Sequence, residues 1–238
     1  IEKCITKIKF KKGESMIIDI LTLFPEAFSA LDTSIIARAK GSGKVQINLI
    51  NIRDFSTDKH KKCDDTPFGG GAGMLMTAQP IYDAIMSVKK ENSKIIFPSP
   101  SGKTFSVSKA KELANYEHII VICGHYEGID QRILDIFQPE EISIGDYVLT
   151  GGELPAMVII DSTLRFVDGV ISSDSLDEES FSTNMLEYPQ YTRPQNFKGL
   201  EVPFVLTNGN HAEIRKWQRQ KALEKTLANR PDLLEKKD

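Results

Sequence analysis

Short apolar runs alternate with stretches of helical period along most of this chain. Met16–Leu23, Val45–Ile52, Lys94–Phe97, Ile119–Cys123 and Ile142–Ile144 have the length and β-branched character of buried strands. Pro25 opens a helical turn after the first of them. Thr77–Val88 carries Ala78, Ile81, Ala84, Ile85 and Val88 at helical spacing, with Thr77 as the expected cap ahead of Pro80. Ser106 is expected to cap a helix running through Ala114. Further helices are predicted from Gly128 to Phe137 and from Glu153 to Phe166, the latter opened by Pro155. Strands alternating with helices predict an α/β fold with a mostly parallel sheet flanked by helices.

The Glu153–Phe166 helix stands apart because Leu154, Ala156, Met157, Val158, Ile159, Ile160, Leu164 and Phe166 leave it almost no polar side. Such a helix is expected to be covered all round, either in a core or against another subunit, and periodicity does not separate the two. From Ser172 to Asn184 the pattern breaks down into polar and acidic residues, which reads as a linker. After it come the extended, Pro-containing segment Tyr188–Pro194 and one long amphipathic helix from Ala212 to Asn229, ended by Arg230-Pro231. The expected organisation is a Lys-rich leader over 1–15 with Met16 as the true start, a large domain over 16–171, a linker over 172–184, and a small, mainly helical C-terminal domain over 185–238.

Composition adds bounds. At 238 residues, with 40% hydrophobic and 26% charged positions, the chain is long enough to bury a core in each of these domains. Cys4, Cys63 and Cys123 are odd in number and far apart, which argues against a disulfide framework and for a reducing, cytoplasmic setting. The longest apolar run, Ala156–Ile160, is far short of the ~20 residues that a membrane span needs. The lysines near the start leave no apolar core for a secretory signal. A formal net charge of −3 provides no global field for a polyanion, so nucleic-acid binding would have to come from local patches. Two clusters qualify: Arg53 with Lys59, His60, Lys61 and Lys62, and the series Arg193, Lys198, Arg215, Lys216, Arg219, Lys221, Lys225 and Arg230.

The chemistry concentrates in glycine-punctuated segments. Cys123-Gly124-His125-Tyr126-Glu127-Gly128-Ile129-Asp130 and Ser143 to Pro155 each follow a strand-like run and lead into a helix, so both are expected to form small-residue loops at strand ends. There the backbone can approach a bound molecule and read the polar edges of an adenine or a ribose. A third segment, Asp64 to Met74, holds Gly69, Gly70, Gly71 and Gly73 between Pro67-Phe68 and Met74, a density that demands unusual dihedrals or close approach to a flat or anionic group.

Other motifs fail on spacing. Ser101-Gly102-Lys103-Thr104 has the end of a phosphate-binding P-loop, but the position five before Gly102 is Phe97. No Gly-x-Gly-x-x-Gly follows the first strand. His60, His118, His125, His211 and the cysteines lack zinc-ligand spacing, so no metal site is expected, and no serine or cysteine nucleophile with a paired base is evident.

At Leu23-Phe24-Pro25-Glu26, Arg53-Asp54-Phe55, Phe68 to Met74, Ser99 to Gly102, Gly124 to Gly128, Ser143 to Pro155, Tyr191 to Pro194 and Gly209 to Arg215 the chain resembles the bacterial tRNA (guanine-N1)-methyltransferases of TrmD type, members of the SPOUT class. The set covers nearly everything from Met16 onward, and its order makes it specific where any one motif would be weak. The resemblance implies a trefoil-knotted sheet holding bent S-adenosylmethionine. By position its contacts would be Phe97, Pro98, Ser99 and Pro100; then Gly124, Tyr126, Glu127 and Gly128; then Ser143, Ile144, Gly145, Asp146, Tyr147, Val148, Leu149, Gly151, Gly152 and Pro155.

The resemblance further implies a cytoplasmic homodimer with active sites at the subunit interface, which favours the interfacial reading of the apolar helix, and a magnesium requirement without a visible protein cage. Arg165 matches the arginine that supports the target guanine. Glu179 stands where an aspartate is common before Ser-Phe, and is the expected general base, with Asp177 as the alternate. Arg53, Gly69, Gly70, Gly71, Arg193, Asn210, His211, Arg215, Lys216 and Arg219 would contact RNA. Thr66 and Phe68 replace residues that are often arginine or tyrosine in that glycine loop. The implied reaction is methylation of N1 of guanosine 37, directly 3′ of the anticodon, in tRNAs with G at position 36. Methylation of another RNA position, and RNA binding without catalysis, are the rival readings.

Overall fold

The computed structural model describes residues 15–172, 179–181 and 184–235, and the chain divides into two compact units, 1–171 and 172–238. The expected leader up to residue 14 and most of the expected linker lie outside the described residues.

Unit 1 is built on a five-stranded sheet. Its strands are β1 (Met16–Thr22), β2 (Val45–Asn51), β5 (Lys94–Thr104), β6 (His118–Ile122) and β7 (Glu140–Ser143), in the order β2-β1-β6-β5-β7. Every pairing among them is parallel. Between β2 and β5 lies a small antiparallel hairpin, β3 (Asp64–Asp65) and β4 (Leu75–Met76), which the sequence pattern did not predict. The helices are α1 (Ser34–Gly41), α2 (Ala78–Val88), α3 (Val107–Leu113), α4 (Gln131–Phe137) and α5 (Glu153–Leu164). A 3₁₀ segment spans Pro25–Asp32, where a helical turn was expected.

The apolar runs become strands because both sheet faces are covered. On β6, Ile119 and Val121 pack with α5 residues Ala156, Ile159, Ile160 and Leu164, while Ile120 and Ile122 pack with Ile81, Ala84 and Ile85 of α2 and Ile133 of α4. All five β6 residues are buried, which explains an uninterrupted apolar run where a half-exposed strand would alternate. Each such side chain contributes on the order of 1.5–3 kcal/mol by leaving water.

Not every buried strand position is apolar. Asp19 is buried in β1, where its carboxylate accepts from Asn48 Nδ2 at 2.7 Å and pairs with His118 Nε2 at 2.7 Å. His118 Nδ1 lies 2.7 Å from Ser93 Oγ, so both ring nitrogens are engaged and this histidine belongs to a closed structural network.

Two expectations need correction. Strand β5 runs to Thr104 instead of stopping at Phe97, and its pairing with β7 breaks register between Pro98 and Lys103. Gly102 of the P-loop look-alike lies in this strand, against the backbone of Glu141 and Ile142. Helix α4 starts at Gln131, three residues later than expected, because Gly128 has φ +124° and Asp130 is the residue whose side chain accepts from Arg132 N–H to cap the helix. Arg132 hydrogen bonding holds the Asp130 carboxyl below its ordinary pKa. Within the chain α5 buries Pro155, Ala156, Ile159, Ile160, Thr163 and Leu164 and leaves Leu154 57% and Val158 46% exposed, so the core of this chain covers only one side of it.

Unit 2 contains a hairpin of β8 (Asn196–Phe197) and β9 (Leu200–Glu201), a 3₁₀ turn at Phe204–Leu206, α6 (His211–Asn229) and α7 (Asp232–Glu235). Helix α6 begins one residue before the expected Ala212 and ends where expected. The β8-β9 hairpin was not legible in the pattern.

Candidate active site

The middle of β5 and the loops that follow β6 and β7 line a cavity of about 410 Å³. Phe97–Ser101 form one wall, Gly124–Ile129 the second, and Ser143–Gly145 with Tyr147–Gly152 the third, closed by Pro155 of α5. A crevice outside the carboxyl ends of parallel strands is where open α/β sheets take their ligands. Every residue expected to touch the cofactor lines this cavity except Asp146, which is exposed and outside the lining.

The lining also includes residues the sequence reading left out. Ser101, His125, Ile129, Leu134, Glu141, Ile142 and Thr150 join it. His125 sits inside the Gly124–Gly128 motif and was available to sequence reasoning. Leu134 comes from α4 and carried no loop signal.

The walls are held mainly by backbone bonds. Gly152 N–H donates to Gly124 O at 2.7 Å, and His125 and Gly151 form an isolated antiparallel bridge. Beneath them the buried Glu153 carboxylate accepts from Thr22 Oγ1 at 2.8 Å. Burial, with Glu153 adding its charge, pushes the Cys123 thiol well above its ordinary pKa, and burial raises Cys63 as well. Both are buried free thiols that do not form a nucleophile at neutral pH. Iodoacetamide is therefore expected to leave Cys63 and Cys123 unmodified in the native protein and to label both in denaturant, read by peptide mass spectrometry.

The pocket fits a nucleoside carrying a short charged chain. Prolines and aliphatic residues give flat apolar contact, while glycine-rich backbone leaves peptide groups open to polar edges. A Cβ on Gly124 would sit 2.9 Å from the Phe97 ring, so the wall tolerates nothing larger there. His125 lines the cavity, and its Nδ1 is buried without a hydrogen-bond partner. Among the described residues, no group of three or more His, Cys, Asp or Glu is assembled to hold a metal ion.

Around this cavity the other predicted residues fall in separate places. Arg165 is the half-buried residue that ends α5. Arg53 lies in the 3₁₀ turn Ile52–Phe55 with its guanidinium 5.8 Å from the centre of the Phe24 ring. Phe24 stacks obliquely on His125 at 5.0 Å, and His125 meets Tyr126 edge-on at 4.9 Å, so a cation and three rings lead to the cavity wall. Gly69, Gly70 and Gly71 form the exposed tip of the β3-β4 hairpin.

In unit 2, Arg193, His211, Arg215, Lys216 and Arg219 are exposed. Arg215 and Arg219 lie one turn apart on α6, beside Lys216. Asn210 has a structural task, since its side chain accepts from Ala212 and Glu213 N–H to cap α6. Glu179 is half-buried in unit 2, and Asp177 lies outside the described residues.

Residues 16–236 match the family model for tRNA (guanine-1)-methyltransferase. The chain belongs to this family. A relative from Caldanaerobacter subterraneus subsp. tengcongensis, named tRNA (guanine-N(1)-)-methyltransferase, is 57% identical over 93% of this chain and 92% of its own length. Relatives of the same name from Exiguobacterium sp. and Treponema denticola are each 55% identical over 92% of this chain, covering 93% and 90% of their own lengths. A methyltransferase of this family draws on a methyl donor, S-adenosylmethionine in general. The five-stranded parallel sheet and its flanking helices are the scaffold that holds the cavity.

Proposed function

We propose that this chain transfers a methyl group from S-adenosylmethionine to N1 of guanosine 37, immediately 3′ of the anticodon, in tRNAs with G at position 36. The observation that carries the reading is the joining of the Phe97–Ser101 stretch of β5 and two glycine-bearing strand-end loops into one cavity, in a chain that matches the family over nearly its whole length. When bound there, S-adenosylmethionine supplies an electrophilic methyl on a sulfonium. The fold around it is proposed to carry the family's trefoil knot.

The chain's own residues then have three tasks. Guanine N1 must lose its proton as the N–CH₃ bond forms and the S–CH₃ bond breaks, and Glu179 is the proposed acceptor, with Asp177 as the alternate. Negative charge shifts onto O6 as N1 is deprotonated, and the Arg165 guanidinium is the proposed group that stabilises it and supports the base. Arg53 and the glycine tip of the β3-β4 hairpin, together with Arg193, Asn210, His211, Arg215, Lys216 and Arg219 of unit 2, grip the tRNA by phosphate and loop contacts. Magnesium belongs to the proposal as an inherited requirement, and no step is derived through it.

The proposal places the enzyme in the cytoplasm as a homodimer with active sites at the subunit interface. No helix among the described residues is long and apolar enough to cross a membrane. Leu154 and Val158, one turn apart and exposed on α5, offer the apolar strip that a second subunit would cover. Val158→Glu is expected to shift the protein from dimer to monomer in sedimentation and to abolish methylation. A monodisperse active dimer for this variant would place the interface elsewhere.

Methyl transfer to tRNA transcripts carrying G or A at position 37 tests the reaction directly. Transfer that depends on G37 and on G36 is expected. Transfer indifferent to the change at 37 would move the site to another RNA position, and RNA binding without transfer would make the chain a binding module.

A further inference from the structure

The β3-β4 hairpin has a fixed stem and a bare tip. Thr77 N–H donates to Cys63 O at 2.8 Å, closing the hairpin base, and Met76 is fully buried. The stem is then bonded to the second cavity wall. Glu127 N–H donates to Met74 O at 3.1 Å, Met76 N–H to Gly128 O at 3.0 Å, and Asp130 N–H to Met76 O at 3.0 Å. Gly73, at φ +87°, lies under the Glu127 side chain so closely that a Cβ there would sit 2.5 Å from Oε1 and 2.6 Å from Cγ. Beyond this anchor, Gly69, Gly70 and Gly71 have positive φ and nothing within 4 Å of where a Cβ would be. Phe68, next to them, is fully exposed.

An entirely exposed phenylalanine on a tip with no packing loses the stabilisation its burial would give, on the order of 1.5–3 kcal/mol. Its ring does not help the fold. Two of the nearby lysines are already paired. Lys61 pairs with Asp54 at 2.8 Å, Lys62 lies 3.8 Å from Asp65, and Asp58 accepts from the backbone of His60 and Lys62. What the tip offers is an aromatic face. Phe68 is five positions before Gly73, so its Cα lies no more than about 18 Å from the residue packed against the cavity wall.

We propose that Phe68 is a stacking platform for an unpaired base of the substrate RNA, next to the base being methylated. The proposal rests on the function above and names how that site selects its substrate. N1 lies on the Watson–Crick edge, so a guanine can be methylated there only when unpaired and drawn out of its stack. Its loop neighbour then loses a stacking partner, and an aromatic ring on an arm rooted in the cavity wall replaces it. The glycines let the tip adapt to the RNA, and Gly73 ties the arm to Glu127.

Phe68→Ala is expected to raise both the KM and the Kd for tRNA by about 5- to 150-fold, the range for one lost base–aromatic stack. Calorimetric binding of S-adenosylhomocysteine and the dimer mass should be unchanged, and Phe68→Trp should restore tRNA affinity. A transcript with an abasic nucleotide beside the target should weaken wild-type binding, with Phe68→Ala adding nothing further. Unchanged tRNA affinity in Phe68→Ala, full additivity with the abasic site, or a dimer that dissociates would overturn the proposal, the last by making Phe68 a subunit contact. Failure of the function itself reads differently: wild-type protein would then not methylate tRNA at all, while the tRNA binding comparison would still judge Phe68.

Discussion

Replacing Glu179 by glutamine is expected to slow methyl transfer to tRNA by about 10²–10⁴-fold, the usual loss when a general base is removed. Glutamine keeps the size of the side chain but cannot accept the N1 proton. Cofactor binding should not change, because the cavity is lined by unit 1 residues from Phe97 to Pro155 and Glu179 lies in unit 2. The segment after it is tied down locally. Ser180 Oγ accepts from Glu187 N–H at 3.0 Å, Phe181 N–H donates to Met185 O at 2.8 Å, and the Arg230 guanidinium lies 6.0 Å from the Phe181 ring. Glu179 is thus the acidic residue next to a fixed anchor. Single-turnover kinetics supply a readout that a binding role would not give: the rate constant at saturating tRNA should fall in Glu179→Gln while the Kd for tRNA stays the same. An active Glu179→Gln beside an inactive Asp177→Asn would transfer the role to Asp177.

How much of this could be read from residues alone depends on what each element signals. β6 was legible because a strand covered on both faces is a continuous apolar run, and α2 because its buried Ile81, Ala84 and Ile85 recur at helical spacing. The second half of β5 was not, because Pro98, Pro100 and Gly102 read as strand breakers, whereas the register break against β7 accommodates them. The β3-β4 and β8-β9 hairpins have strands of two residues, too short to show any period. The exposure of Leu154 and Val158 was illegible for another reason. An apolar residue looks the same in sequence whether its own chain covers it or not.

Two cavity walls were legible because glycine clusters after apolar runs mark strand ends where backbone forms the wall, whereas Phe97–Pro100 were assigned only through the family resemblance. The remaining lining was not legible: Leu134 reaches the cavity from a helix, and nothing in the periodicity of Gln131–Phe137 says which helical face meets a ligand.

Gly152→Ala is expected to lower S-adenosylhomocysteine affinity by an order of magnitude or more and to destabilise the fold by about 1–3 kcal/mol, the usual cost of forcing a methyl into a packed site. The reason is space, since Gly152 has an ordinary backbone at φ −81° and ψ −7°. A Cβ there would lie 2.8 Å from Cys123 Cα, 2.8 Å from Gly124 N and 3.1 Å from Cys123 C. All three are backbone atoms, and none can turn away as a side-chain end would. Cys123 is held in turn, fully buried, with its N–H donating to Leu21 O at 2.9 Å. The added methyl must therefore push the third cavity wall off the second and stretch the 2.7 Å bond from Gly152 N–H to Gly124 O, widening the crevice where the ligand needs contact on both sides. Gly41→Ala makes the same chemical change at the end of α1, where nothing lies within 4 Å of the new atom. That variant should be neutral or more stable by up to about 1 kcal/mol, with cofactor binding unaltered. Thermal denaturation and calorimetry on the pair read both effects, and equal behaviour of the two variants would show that the close approach of Gly152 to Cys123 does not set the cavity.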